Sequence, residues 1–162
     1  MWVRLVKNSD IPKWWALSRE YDCYVKELVP DLSEWYDGND DTSISFDAYI
    51  ESKINKQEAF IAEDDINDCL GIIAISKTNN RISFFGVSHR AGIHTAGSKL
   101  IKHALENLDD KKPVSINEIS STSPQIQKQI GLLLDFGFEY SCDATENGVP
   151  VNVFVKPPLS KE

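Results

Sequence analysis

After Val87 an apolar strand gives way, through Arg90-Ala91-Gly92-Ile93-His94-Thr95-Ala96-Gly97, to an amphipathic helix. A helix start presents about four unpaired backbone N–H groups and the positive end of the helix dipole, and glycine lets a large anion come close to the main chain. The chemistry on offer at such a turn is a cradle for phosphate or pyrophosphate. Gly92 and Gly97 equally suit a tight turn and close helix packing, so both readings stand at this point. Cys23, Cys69 and Cys142 lie far apart, leave an odd thiol and form no CxxC, which excludes a disulfide framework. His89, His94 and His103 lack the clustering of a zinc site, and no metal is expected.

The elements that would position this turn follow from hydrophobic period and punctuation. Val3 to Val6 reads as a short strand. Ser9-Asp10 with Pro12 starts a helix from about 11 to 28, whose stripe is Trp14, Leu17, Tyr21, Tyr24, Val25 and Leu28, and Pro30 stops it. Residues 31–43 read as a helical turn and an acidic loop, and Phe46, Tyr49, Ile50 and Ile54 share one helical face. The period then changes. Strands over 58–63, 70–76 and 81–87, separated by Asp64 to Asp68 and Thr78-Asn79-Asn80, form an antiparallel meander. A helix to about Leu108 buries Ala96, Leu100, Ile101, Ala104, Leu105 and Leu108. A strand over 114–119 and a helix over 124–135 follow, the helix closed by Gly137 as a left-handed stop. Two last strands, near 138–143 and 149–155, are separated by Asn147-Gly148, and the tail from Pro157 reads as unstructured. The result is an α/β fold, a mixed and largely antiparallel twisted sheet flanked by helices, in a single domain over 1–156 with a flexible tail over 157–162.

Bulk composition narrows the partners. With 162 residues the chain holds one domain's worth. Its 41% hydrophobic and 26% charged residues are ordinary globular usage and provide for a core. The formal charge of −8 opposes a nucleic-acid partner and suits a cationic one. No apolar run approaches the ~20 residues needed to cross a bilayer. Met1 to Lys7 has none of the marks of an export signal, so the cytoplasm is the expected compartment and no membrane association is expected.

From Ala59 to Tyr140 the chain resembles the GNAT superfamily of acetyl-CoA-dependent N-acetyltransferases. In that family a strand ends V-x-P and Arg/Gln-x-x-Gly-x-Gly/Ala follows, the Arg or Gln five residues after the valine. With Val87 as the valine, Gly92 takes the Arg/Gln position, Thr95 the first glycine and Gly97 the last, and Ser98-Lys99-Leu100-Ile101 continues like the family's helix. The spacing is kept, while His89, Gly92 and Thr95 depart from the family letters. The resemblance extends to Gln129 through Phe138, where Gly137 and Phe138 match and Leu133 stands at the position of the tyrosine that protonates the departing thiolate in many members.

The resemblance implies a GNAT-like sheet of about six to seven strands with about four helices, and acetyl-CoA as co-substrate. Its pyrophosphate would lie on the turn from Gly92 through Ile93, His94, Thr95, Ala96, Gly97 and Ser98, with Arg90, His94 or Lys99 adding positive charge. Its pantetheine arm would pair with the backbone of Phe85, Gly86 and Val87 in a splay between the strand ending at Val87 and the strand over 114–119, as in strand addition. The Val87 amide would stabilise the oxyanion. Glu118 is the leading base for the acceptor amine, ahead of Glu63 and Asp64. Tyr140 is a weaker candidate beside the thiolate. The acceptor pocket falls on Tyr21, Tyr24, Asp31, Glu34, Trp35, Tyr36, Asp37, Asp40 and Asp41, a set of aromatic faces and carboxylates suited to a cationic small-molecule or peptide amine. The carboxyl-end strands are a candidate homodimer surface on which the sequence is neutral. The implied function is direct transfer of acetyl to a primary amine. The alternative is a catalytically weak or inactive CoA-binding or regulatory protein of the same fold, which Leu133 and the altered glycine segment favour.

Overall fold

Alternating side chains in the middle third build the centre of a seven-stranded sheet. The computed structural model describes residues 1–30 and 40–159, the side chains of 40–45 excepted. Strands β1 (Trp2–Leu5), β2 (Ala59–Glu63), β3 (Cys69–Ser76), β4 (Arg81–Val87), β5 (Val114–Ile119), β6 (Glu139–Glu146) and β7 (Val149–Lys156) lie in the order β1-β2-β3-β4-β5-β7-β6. Every neighbouring pair is antiparallel except β4–β5. The α-helices among the described residues are α1 (Ile11–Arg19), α2 (Asp22–Leu28), α3 (Asp40–Asn55), α4 (Ser98–Glu106) and α5 (Pro124–Asp135).

Because consecutive strand residues point to opposite faces, β2 and β3 feed two cores. Phe60, Ala62, Ile73 and Ile75 pack with Leu100, Ile101, Leu132 and Leu133 of α4 and α5. Ile61, Ile72 and Ala74 pack with Trp14, Leu17 and Ile50 of α1 and α3. A strand covered on both faces reads as a continuous apolar run, which is the pattern of Leu70 to Ile75. Asn147 and Gly148, both at positive φ (53° and 82°), make the turn that joins β6 to β7. Gly137, at φ 95°, ends α5 as the sequence predicts. Strand β6 forms one edge of the sheet and is exposed along nearly its whole length.

One expected element divides. The helix predicted over 11–28 breaks at Glu20–Tyr21 into α1 and α2. Of the expected stripe, Trp14, Leu17 and Val25 are buried and Tyr21, Tyr24 and Leu28 half-buried. The break has a cause remote in sequence: the Glu20 carboxylate accepts bonds from the Ser88 hydroxyl (3.1 Å) and the His89 N–H (2.9 Å), and Tyr21 reaches the end of β4. A continuous helix would turn these adjacent side chains about 100° apart and away from one strand end. The tail beyond β7 is tied at Leu159, whose N–H donates to the Asp110 carbonyl at 2.9 Å.

Candidate active site

Among the described residues, the only parallel pair of strands is also the shortest. β4 and β5 register at Arg81–Ser115 and Ile82–Ile116 and then part. Between the parted halves lies a cavity of about 150 Å³, edged by Ser83 to Gly86 on β4 and Asn117 to Ile119 on β5, with Tyr21 from the α1–α2 elbow and Gln129 from α5 reaching into it. Phe84 lies edge-on to Trp14, their ring centroids 5.4 Å apart, and Phe85 packs on the α4/α5 core, so both rings serve packing as well as the cavity wall.

Val87 ends β4 one residue beyond this lining, its side chain wholly buried. Its peptide groups face three side chains. The Val87 N–H donates to Tyr21 Oη (3.1 Å) and Gln129 Oε1 (3.2 Å). The Val87 carbonyl accepts from the Tyr21 hydroxyl (2.5 Å) and Gln125 Nε2 (3.1 Å). Tyr21 Oη also lies 2.7 Å from Gln129 Oε1. Burial pushes the Tyr21 phenol well above its ordinary range, so the hydroxyl keeps its proton at any physiological pH. The main-chain donor expected to face an oxyanion is thus held by side chains, which exchange more readily than a strand partner.

Glu118 lies in the same gap, 4% exposed. Its carboxyl oxygens lie 3.3 and 3.4 Å from Gln129 Nε2. Burial, only partly offset by that bond, pushes its pKa up to about 8, so the group is mostly neutral at pH 7. A carboxyl in this condition binds a proton at a pH where ordinary carboxylates release it, and takes one from an amine above that pH.

On the far side of Val87 the chain turns through Ser88 and His89 to Gly92. Residues Ile93–Gly97 form a wide helical turn that runs directly into α4. The carbonyl of Gly92 accepts from the N–H groups of Thr95 (3.2 Å) and Ala96 (3.0 Å) and from the Thr95 hydroxyl (2.9 Å). The N–H groups of Ile93 and His94 precede these at the start of the helical turn, where Ile93 is buried and His94 exposed. Gly97 answers a packing need: a Cβ there would lie 2.7 Å from Leu132 Cδ2. Ser98 is half-buried at the start of α4, and Arg90, outside the turn, lies 3.6 Å from Asp68.

The remaining predicted residues separate from this group. Glu63 is buried and bidentate with Arg4, which also binds Asp10 in the same fashion. Asp64 caps its own hairpin turn by accepting from the N–H groups of Ile66 and Asp68. Tyr140 is 56% exposed on β6 and donates to Asp143. Leu133 is fully buried in the α4/α5 core, where an aliphatic side chain offers no proton to a departing thiolate. Tyr24 Oη lies 3.0 Å from His89 Nε2, and His103 packs edge-on to Phe60. Asp31, Glu34, Trp35, Tyr36 and Asp37 lie outside the described residues, as do the side chains of Asp40 and Asp41. No cluster of metal-ligating side chains occurs among the described residues.

Two residues that sequence reasoning misses are Gln125 and Gln129. They stand four apart beside the apolar stripe of α5, and that polar pair on a buried flank is the signal that could have found them.

Neither the protein-family models nor the curated proteins contain a match. Solved structures do. A GNAT-family acetyltransferase from Bacillus cereus is 17% identical, with 98% of this chain and 97% of that one aligned at a TM-score of 0.63. An N-acetyltransferase from Staphylococcus aureus is 15% identical over 96% of this chain and 100% of its own, at 0.65. Arabidopsis thaliana Naa50, in complex with the bisubstrate analogue CoA-Ac-MVNAL, is 18% identical over 96% and 97%, at 0.60. With β4 and β5 parting beside the turn that opens α4, and with these likenesses spanning nearly the whole chain, this protein has the GNAT acetyltransferase fold.

Proposed function

We propose that the chain is an N-acetyltransferase that moves an acetyl group from acetyl-CoA to a primary amine by direct attack. The observation that carries this reading is the β4–β5 gap, which places a buried carboxyl, Glu118, in one cavity with the peptide edge of β4 and next to the helix-opening turn at Ile93 and His94. The residues present fit the group: the turn offers N–H donors for the pyrophosphate, and at the end of β4 the Val87 N–H and carbonyl are partnered by side chains rather than by a strand. Gly97 contributes by letting the turn sit close to α5. Bound acetyl-CoA supplies a thioester whose thiol, with a pKa near 8.5, leaves without full proton transfer.

The chain's own groups then act in order. Glu118, once ionised, takes a proton from the ammonium form of the acceptor, which otherwise has no lone pair. The Val87 N–H steadies the negative charge that develops on the carbonyl oxygen. The apolar walls, Phe84 and Phe85 among them, exclude water from the reacting atoms. The acceptor is a small-molecule or peptide amine. The peptide analogue carried by the Arabidopsis neighbour supports including peptide N-termini in the search. Mass spectrometry of mixtures containing acetyl-CoA and pooled amines and peptides tests the reading: a product heavier by one acetyl group supports it, and confirmed CoA binding with no product refutes it.

That second outcome would favour a CoA-binding or regulatory protein. One observation points that way: Leu133, at the family's tyrosine position, is locked into the core, and the Val87 N–H is already engaged.

A further inference from the structure

The elbow between α1 and α2 and the first turn of α2 hold the end of β4 through three side chains. Glu20 accepts from the Ser88 hydroxyl and the His89 N–H, Tyr24 meets His89 Nε2, and Tyr21 meets both the N–H and the carbonyl of Val87. The first two leave the β4–β5 gap alone, because Ser88 and His89 lie beyond it. The Tyr21 contact does not. A donor and an acceptor offered together by one residue of an unpaired strand edge are what an incoming amide uses in strand addition, and Tyr21 fills both functions with a single hydroxyl. Gln129 backs it from the opposite side, sharing the Val87 N–H and contacting Tyr21 Oη at 2.7 Å.

The arrangement is also easy to undo. The hydroxyl has one proton, and two acceptors compete for it, the Val87 carbonyl at 2.5 Å and Gln129 Oε1 at 2.7 Å. One of these contacts is always made at the other's expense. When Tyr21 withdraws, Gln129 Oε1 and Gln125 Nε2 hold the Val87 N–H and carbonyl only until the incoming groups replace them, so no buried peptide group is stranded during the exchange.

We propose that Tyr21 is a latch: in the free protein its hydroxyl occupies the Val87 peptide groups that acetyl-CoA needs, the carbonyl for an amide N–H of the arm and the N–H for the thioester oxygen, and the carrier binds by displacing it. The inference rests on reading the gap as the acyl-carrier slot, and it adds that the free protein holds that slot shut with its own side chain. Nothing covalent changes in the step; one set of hydrogen bonds replaces another.

Removing the hydroxyl while keeping the ring isolates the effect. Acetyl-CoA affinity is measured by calorimetry for the wild-type chain and for Tyr21→Phe, with hydrogen exchange at the Val87 amide read in both. The latch predicts that Tyr21→Phe binds acetyl-CoA about tenfold more tightly, the equivalent of about 1.4 kcal/mol, and that its Val87 amide exchanges faster in the free protein. In the wild-type chain the Tyr21 ring-carbon resonance next to the hydroxyl must shift as acetyl-CoA is added, a readout that needs no variant to fold. Binding by Tyr21→Phe alone also supports the latch. Equal or weaker binding by the variant, with the wild type binding normally, overturns the latch and leaves the acetyltransferase reading standing. Failure of both proteins to bind acetyl-CoA overturns that reading and the latch with it.

Discussion

Replacing Glu118 by glutamine should stabilise the protein by an amount that grows with pH. Glu118 is 4% exposed, and its neighbour in the gap is the neutral Gln129 amide. Its pKa rises from an ordinary 4.5 in the unfolded chain to about 8 in the folded one. For an acid raised in this way, the unfolded chain gives up its proton first. Below pH 4.5 both states hold the proton and the group is neutral toward folding. Between 4.5 and about 8 the unfolded state is progressively favoured, and above about 8 the cost levels off. At about 1.4 kcal/mol per pH unit the full span is worth roughly 5 kcal/mol, an upper bound because local relaxation and water entry reduce it. Glutamine keeps the shape and never ionises. Urea titrations of the wild type and Glu118→Gln at pH 5, 6, 7, 8 and 9 should therefore give a stability difference that increases by several kcal/mol in favour of the variant. A difference that stays constant over this range would refute the neutral buried carboxyl. The same substitution removes the proposed base, so acetyl transfer should fall by about 10²–10⁴-fold while acetyl-CoA binding persists.

Three further substitutions test the framework. Gly97→Ala places a methyl 2.7 Å from Leu132 Cδ2 and should cost about 1–3 kcal/mol by thermal or urea unfolding. Gly131→Ala, where nothing lies within 4 Å, should instead stabilise α5 by about 0.5–1 kcal/mol. Arg4→Ala strands the buried carboxylates of Asp10 and Glu63 and should cost about 3 kcal/mol at pH 7, Lys13 compensating in part. Burial pushes the Asp10 carboxyl up, but its bonds to Arg4 and the Lys7 N–H outweigh this and hold it below its usual range. For Glu63 the Arg4 bonds dominate outright and lower it likewise. Stabilisation of this kind is complete above the ordinary carboxylate range and vanishes as pH falls through the lowered values, so the Arg4→Ala penalty should shrink between pH 5 and pH 2. A penalty independent of pH there would contradict the ion-pair origin.

What could be read from the chain and what could not divide along sequence distance. The β2–β3–β4 meander, β5 and α5 rest on local period and turn residues, and each lies where its pattern places it. Gly137 and Asn147-Gly148 are legible for the same reason, since positive φ is a local demand. The break at Glu20–Tyr21 is not local. Tyr21 bonds to Val87 across 66 residues, and Gln129 bonds to Val87 across 42, and no helical period encodes either contact. Glu118 was legible as a residue of the gap but not as a neutral acid, because its protonation follows from burial behind α5. The polar Glu63 looked available for chemistry from its position at a strand end; the partner that claims it, Arg4, is 59 residues away.

Titration of the isotope-labelled chain with acetyl-CoA, followed residue by residue through its backbone amide resonances, tests the central claim most directly. The account predicts saturable shifts concentrated on Phe85, Gly86 and Val87 along β4 and on Ile93 through Ser98 at the start of α4. Shifts scattered over other surfaces, or none at millimolar acetyl-CoA, would contradict it.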